Sequence, residues 1–275
     1  MEIARGNIKN DFFDTYLSVK FELMRYLKCR RLLLIGALAI IVPLIFYVKT
    51  PSTAGVFATL VLDSIGVFIA ISAAMFTGDA VNGEFEKKTN LLSFPTPQRR
   101  FSIFLGKYIA ALLATYFVVL LYYLTMTLQI AQLYGWGEIP TELGKSFLIA
   151  LLSAAAAVSV VFFFSSILKR SIASTIVGLL FIMWVLEAAR LILTLMNQEP
   201  WFIGTYSADL IRDVLGVSTS LTAAPQELFQ EQFQEQFGVT LTLFKPDFGV
   251  GIAVLIVSAM VFLVISMAIA VRKEA

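Results

Sequence analysis

The chain has 275 residues, 59% of them hydrophobic and 15% charged, with a formal net charge of +2, one cysteine and no histidine. With a mean hydropathy of +0.84 it lies outside the range of soluble domains and reads as a polytopic membrane protein. The lack of histidine removes the usual zinc, copper and general-base arrangements, and Cys29 alone cannot close an intrachain disulfide. No catalytic residue and no metal site is expected.

The first element is polar enough to stay out of the hydrocarbon. Phe12, Tyr16, Val19, Leu23, Tyr26 and Leu27 recur at helical spacing, with Asp14, Arg25 and Lys28 on the other side. This predicts an amphipathic helix within 8–31, lying along the inner membrane surface with its basic residues toward anionic headgroups. The alternative is a helix docked on the chain's own inner loops. An apolar run follows at 32–48. It comes after about thirty mostly polar residues, with no small-residue cleavage pattern behind it, so it is expected to remain in the mature chain.

A span of the ~30 Å hydrocarbon layer needs about 20 residues at ~1.5 Å each, or about 17 at the short end. Six runs qualify: 32–48, 54–76, 101–128, 145–168, 171–194 and 249–271. Asp63 falls within the second. Between the second and third, residues 79–98 form a charged segment in which helix formers run to about Ser93 before Pro95 and Pro97 break the ladder. Glu84, Glu86, Lys87 and Lys88 there flank the apolar pair Leu91-Leu92. An apolar knob with a charged rim suits a protein groove better than lipid.

Gly144-Lys145-Ser146 looks like the end of a phosphate-binding loop, but position 139 is Ile where that loop needs Gly. The fourth span carries small residues, Ser153, Ala154, Ala155, Ala156, Ala157 and Ser159, that let helices approach closely. Glu187 and Arg190 lie near the outer end of the fifth. Charges within a span cost at least ~2.5–3.5 kcal/mol in lipid, so Asp63, Glu187 and Arg190 should face protein or water. They read either as a polar patch or outer gate of a pathway, or as a local salt bridge near the headgroups; Glu187 and Arg190 also have the i, i+3 spacing for a pair of their own.

Residues 195–248 are too long for a turn and too apolar for a free linker. Trp201, Phe202, Ile203, Tyr206, Leu210 and Leu215 predict one short interfacial or re-entrant helix. Phe229, Phe233 and Phe237, at i, i+4 and i+8, predict a second with one aromatic face, read as an extracellular cap.

Basic residues set the orientation. Arg5, Lys9, Lys20, Arg25, Lys28, Arg30 and Arg31, then Lys87, Lys88, Arg99, Arg100 and Lys107, then Lys169, Arg170, Arg272 and Lys273 make sixteen on one side. Lys49, Lys145, Arg190, Arg212 and Lys245 make five on the other. Both termini are therefore expected in the cytoplasm, and the basic balance needs no nucleic acid to explain it.

Glu84, Thr89, Leu91, Leu92, Pro97, Arg100, Gly106 and Lys107 form a spaced pattern that resembles the first cytoplasmic loop of the membrane subunits of type-2 ATP-binding cassette exporters. Lys88 stands where that loop usually has Gly, and the spacer after Leu-Leu is slightly long. The likeness extends to the whole layout: an amphipathic start, six spans, inner termini and a long last outer loop. It implies an all-α permease in the plasma membrane, paired with a second permease copy and among membrane lipids. The charged segment would be a coupling helix seated in a separate ATPase subunit. ATP and Mg would be bound by that partner and no cofactor by this chain, with Glu84, Thr89, Leu91, Leu92 and Pro97 at the contact and Arg100 and Lys107 orienting the loop against phosphates or the partner. The residues alone leave two other readings open: an ion- or proton-coupled secondary transporter or channel using Asp63, Glu187 and Arg190, and a non-transporting membrane anchor.

Overall fold

The computed structural model describes residues 8–28, 30–47, 51, 53–86, 100–216 and 246–272. These residues are helical with no strand among them, in the order α1 (Ile8–Lys28), α2 (Arg31–Phe46), α3 (Ala54–Asp63), α4 (Ile65–Thr77), α5 (Asn82–Glu86), α6 (Arg100–Leu133), α7 (Leu143–Ile167), α8 (Ser171–Leu180), α9 (Leu186–Leu195), α10 (Gly204–Ala208), α11 (Leu210–Asp213) and α12 (Phe248–Arg272). A π-helical turn, Phe181–Val185, joins α8 to α9 without a break in the rod. The end of the bundle that carries α1 and α5 is termed proximal here, the other end distal.

Five helical stretches are long and apolar enough to cross a membrane: Ala54–Thr77, Phe101–Leu133, Leu143–Ile167, Ser171–Leu195 and Phe248–Arg272. The expected first span is present as α2, but at 16 residues it rises only about 24 Å. Six spans result if α2 counts with α1, and α1 is bent 67° from it. Arg30, at the bend, has φ 56, the left-handed conformation that breaks helical continuity.

Small residues set the packing. α7 lies against α12, α4 and α6 with Ala150, Ala154 and Ser159 buried in the contacts, as its run of Ala and Ser predicts. Phe57, Phe76, Phe104, Phe162, Tyr122 and Met126 fill the core between α3, α4, α6 and α7. The rod α8–α9 is different: 6% of its apolar stretch is buried inside the chain, against 56% for Ala54–Thr77. Its Ile172, Ile176, Leu180, Trp184 and Ile192 point outward.

The second span is interrupted at Ser64, between α3 and α4. Tyr122 of α6 stabilises the interruption: its hydroxyl donates to the Val61 carbonyl at 2.6 Å and lies 3.0 Å from the Ser64 Oγ. The same carbonyl also accepts from the Ser64 amide at 3.3 Å and the Ser64 Oγ at 3.0 Å, so the polar groups at the break are satisfied within the bundle.

Candidate functional site

Among the described residues, buried or clustered charge lies in two regions, one at each end of the bundle. At the proximal end, α1 crosses α6 at Gly106. A Cβ there would sit 2.5 Å from the Ser18 Cβ and 3.1 Å from the Thr15 carbonyl oxygen, so only glycine permits this approach. Docking at this point turns Glu22, Arg25 and Tyr26 toward the bundle. Arg25 donates to Asp79 at 2.8 Å and to Glu22 at 3.2 Å, and Arg31 reaches the same Asp79 oxygen at 2.9 Å. Lys107, 3% exposed, donates to the Ala80 carbonyl at 2.8 Å and lies 3.6 Å from Glu22. Tyr26 donates to the Phe76 carbonyl at 2.8 Å.

These contacts revise the sequence reading in two places. Arg25, expected to face headgroups, is turned inward onto Asp79. The face of α1 turned away from the bundle is Phe13, Tyr16, Phe21, Met24 and Leu27, rotated from the predicted one because Thr15 and Ser18 take the seat against α6. Lys107 is engaged within the chain, under the start of the charged segment, and its ammonium is not at the surface.

The charged segment itself begins as a turn over Gly78–Val81 and the short helix α5. The Ser174 hydroxyl donates to the Gly78 carbonyl, the Val81 amide to the Ser165 Oγ at 3.1 Å, and the Ser171 amide at the start of α8 to the Glu86 carboxylate at 3.0 Å. An acid at a helix N-terminus satisfies a free amide and complements the helix dipole. Glu84 is in α5 and Arg100 opens α6. Thr89, Leu91, Leu92 and Pro97 lie outside the described residues, as do Phe229, Phe233 and Phe237.

At the distal end a cavity of about 610 Å³ opens between α3–α4, α7, the α8–α9 rod, α12 and the α10–α11 segment. Ile69, Ala157, Val160 and Phe262 contribute to its apolar walls, and three residues of the π turn, Phe181, Ile182 and Met183, also line it. Such turns widen a helix locally and recur at functional positions. Asp63, Glu187, Asp209 and Arg212 line the same cavity.

Asp63, Glu187 and Arg190 thus belong to one charged network: Glu187 and Arg190 pair at i, i+3 as their spacing predicts, whereas Asp63 joins them through Arg212 and Asp209, which the sequence reading did not include. Arg212 reaches Asp63 at 2.5 Å and Asp209 at 3.6 Å; Arg190 reaches Asp209 at 2.5 Å and Glu187 at 3.8 Å. Arg190 also lies over the Tyr206 ring, 5.5 Å from its centroid. Burial alone would lower the pKa of Arg212, but Asp209, Asp63 and Asp213 outweigh it and raise it. The Tyr206 phenol is held protonated to higher pH than usual, by burial and by Glu199, to which it donates at 3.1 Å.

The α10–α11 segment is the short helical element expected near Trp201–Leu215, formed as two pieces. Ile203, Tyr206, Leu210 and Leu215 are buried, while Trp201 and Phe202 are exposed. Leu210 packs onto Gly251 of α12 where a Cβ would clash. Ser146 of α7 donates to the Ile211 carbonyl at 2.5 Å and meets Tyr123 at 2.8 Å. Lys145, in the false phosphate-loop match, pairs at 2.6 Å with Glu142. Among the described residues no group of His, Cys, Asp and Glu could hold a metal ion.

A family model described as ABC-2 family transporter protein matches residues 2–273. No curated protein matches the chain. The family match takes in the bundle, the ion-pair cluster around Asp79 and the distal cavity together, and the chain is accordingly a multi-pass membrane subunit belonging to the ABC-2 transporter family.

Proposed function

We propose that this chain is the permease subunit of an ATP-driven exporter in the plasma membrane, with both termini cytoplasmic. It would work as a pair of permease copies with two ATPase subunits, which bind the ATP and Mg. The observation that carries the reading is the way the charged segment is anchored. Its start is tied to α1 through Asp79, to α6 through Lys107 and to the α7–α8 turn through Glu86, Ser165 and Ser174. A loop fixed on three sides transmits a push as a rigid lever, whereas a solvated loop would absorb it.

In this reading Leu91 and Leu92, with Glu84, Thr89 and Pro97, sit in the ATPase groove. Closure of the ATPases moves the segment, and the Glu86–Ser171 and Ser174–Gly78 contacts carry the movement to α8. The α8–α9 rod is the wall least buried within the chain, so it is the wall that can swing. Asp63, Glu187 and Arg190, held by Arg212 and Asp209, form the outer gate. The exposed face of α1 rests on lipid, and Phe229, Phe233 and Phe237 cap the exit.

The test is a mild-detergent purification of tagged chain, with identification of co-eluting proteins and an ATPase assay. A stoichiometric ATPase that is lost when Leu91 and Leu92 are changed to Asp, while the permease stays folded, supports the reading. A folded chain with no such partner and with ion flux in its absence overturns it in favour of secondary transport.

A further inference from the structure

We propose that the distal cavity is a binding site within a single chain for a lipophilic organic cation, an apolar body carrying one positive charge. The inference deepens the outer-gate reading above, yet it rests on the cavity alone, because binding can be read with no ATPase present and no transport occurring.

The first observation is space. The cavity holds about 610 Å³, within the range of small-molecule sites, and its walls are apolar side chains of five helical elements. At Gly66, on its α4 wall, a Cβ would meet no heavy atom within 4 Å. The Thr205 hydroxyl, on the opposite lining, has no hydrogen-bond partner among the described residues. Such a pocket favours an apolar body.

The second observation is charge. The lining carries the carboxylates of Asp63, Glu187 and Asp209 against the guanidinium group of Arg212, with Arg190 reaching Asp209 and Glu187 from beside it. The arginines are committed at 2.5 Å, Arg212 to Asp63 and Arg190 to Asp209. Glu187 is held only at 3.8 Å, by Arg190, and its side chain is 48% exposed. Of the lining carboxylates Asp63, Glu187 and Asp209, it alone has no guanidinium partner closer than 3.8 Å among the described residues. An anion would meet this excess of negative charge beside low-dielectric walls; a monovalent cation would complement it.

The experiment uses the full chain in phosphatidylcholine nanodiscs with two probes of near-equal shape and opposite charge, tetraphenylphosphonium and tetraphenylborate, each corrected for partition into empty nanodiscs. Saturable binding of the phosphonium, at least about tenfold tighter than the borate, is expected, a difference of about 1.4 kcal/mol. Gly66→Phe, which grows a side chain into the open space, should weaken it by about tenfold or more. Glu187→Gln should weaken it by about fivefold, the worth of one partly exposed charge contact. Three outcomes overturn the proposal: no saturable phosphonium binding, equal binding of the two probes, which would mark a neutral lipid-tail pocket, or full binding by Gly66→Phe. A fourth is that Gly66→Phe leaves the probes unaffected but dissociates a dimer, which would make the cleft a seat for the second copy. A folded chain that binds the phosphonium but recruits no ATPase would sustain this site while removing the exporter reading.

Discussion

Arg25 and Asp79, 54 positions apart, meet at 2.8 Å in a pair that joins the N-terminal helix to the end of α4. Asp79 is buried and has a second guanidinium, Arg31, at 2.9 Å. Removing Arg25 alone therefore leaves Asp79 a partner and is expected to cost about 1–2 kcal/mol. Arg25→Ala with Arg31→Ala strands the carboxylate, where breaking a buried pair costs about 3–5 kcal/mol. The double variant should lose more than the sum of the singles in denaturant unfolding in a fixed detergent; strict additivity would mean the three groups act independently.

Gly106→Leu should lift α1 from α6. The obstruction at Gly106 includes backbone atoms of Thr15 and Val19 as well as the Ser18 Cβ, so no rotamer change relieves it. Hydrogen exchange across residues 13–28 is expected to rise sharply while the α7–α12 contact keeps its protection. Unchanged exchange in α1 would show that the crossing is not fixed by glycine.

Charge exchange tests the distal network. Asp63→Arg places two guanidinium groups together and should reduce both thermal stability and transport; Arg212→Asp in the same chain restores an opposite pair at the 2.5 Å contact. Partial recovery of both properties in the double variant is expected. Arg212 also serves Asp209, so recovery should be incomplete.

Ser146→Ala removes the donor to Ile211 and the partner of the Tyr123 hydroxyl, both buried. A loss of about 1–2 kcal/mol is expected, felt locally as faster proteolysis within 198–216. Equal cleavage rates in variant and parent would show that the segment is held by Leu210 and Gly251 packing alone.

The spans were legible because hydrocarbon demands apolar length, and five stretches formed close to the predicted limits. α2 came out shorter than its apolar run, with residues 48–50 outside the described set. Asp63 and Arg190 were legible as residues needing partners. Glu187 was legible as a partner of Arg190 by its i, i+3 spacing, but the shared partners Asp209 and Arg212 were not, since Arg212 lies 149 positions from Asp63 and the spacing that predicts a short helix near 201–215 does not say where it docks. The face of α1 was displaced in the reading because hydrophobic spacing weighs Phe12, Leu23 and Leu27 heavily. The actual seat is made by the small residues Thr15, Ser18 and Gly106, whose fit depends on backbone approach. Neither the interruption at Ser64 nor the π turn has a sequence signal of the kind that Gly or Pro supplies.

The π turn at Phe181–Val185 stores a spare residue inside an otherwise continuous rod. Rewinding it to α geometry with all five residues kept would turn everything beyond it by about 100° relative to α8. Glu187 and Arg190 would then swing away from Asp209 while Ser174 stayed latched to Gly78. The aim of the distal charges is thus set separately from the proximal anchor, by a one-residue phase offset within a single helix.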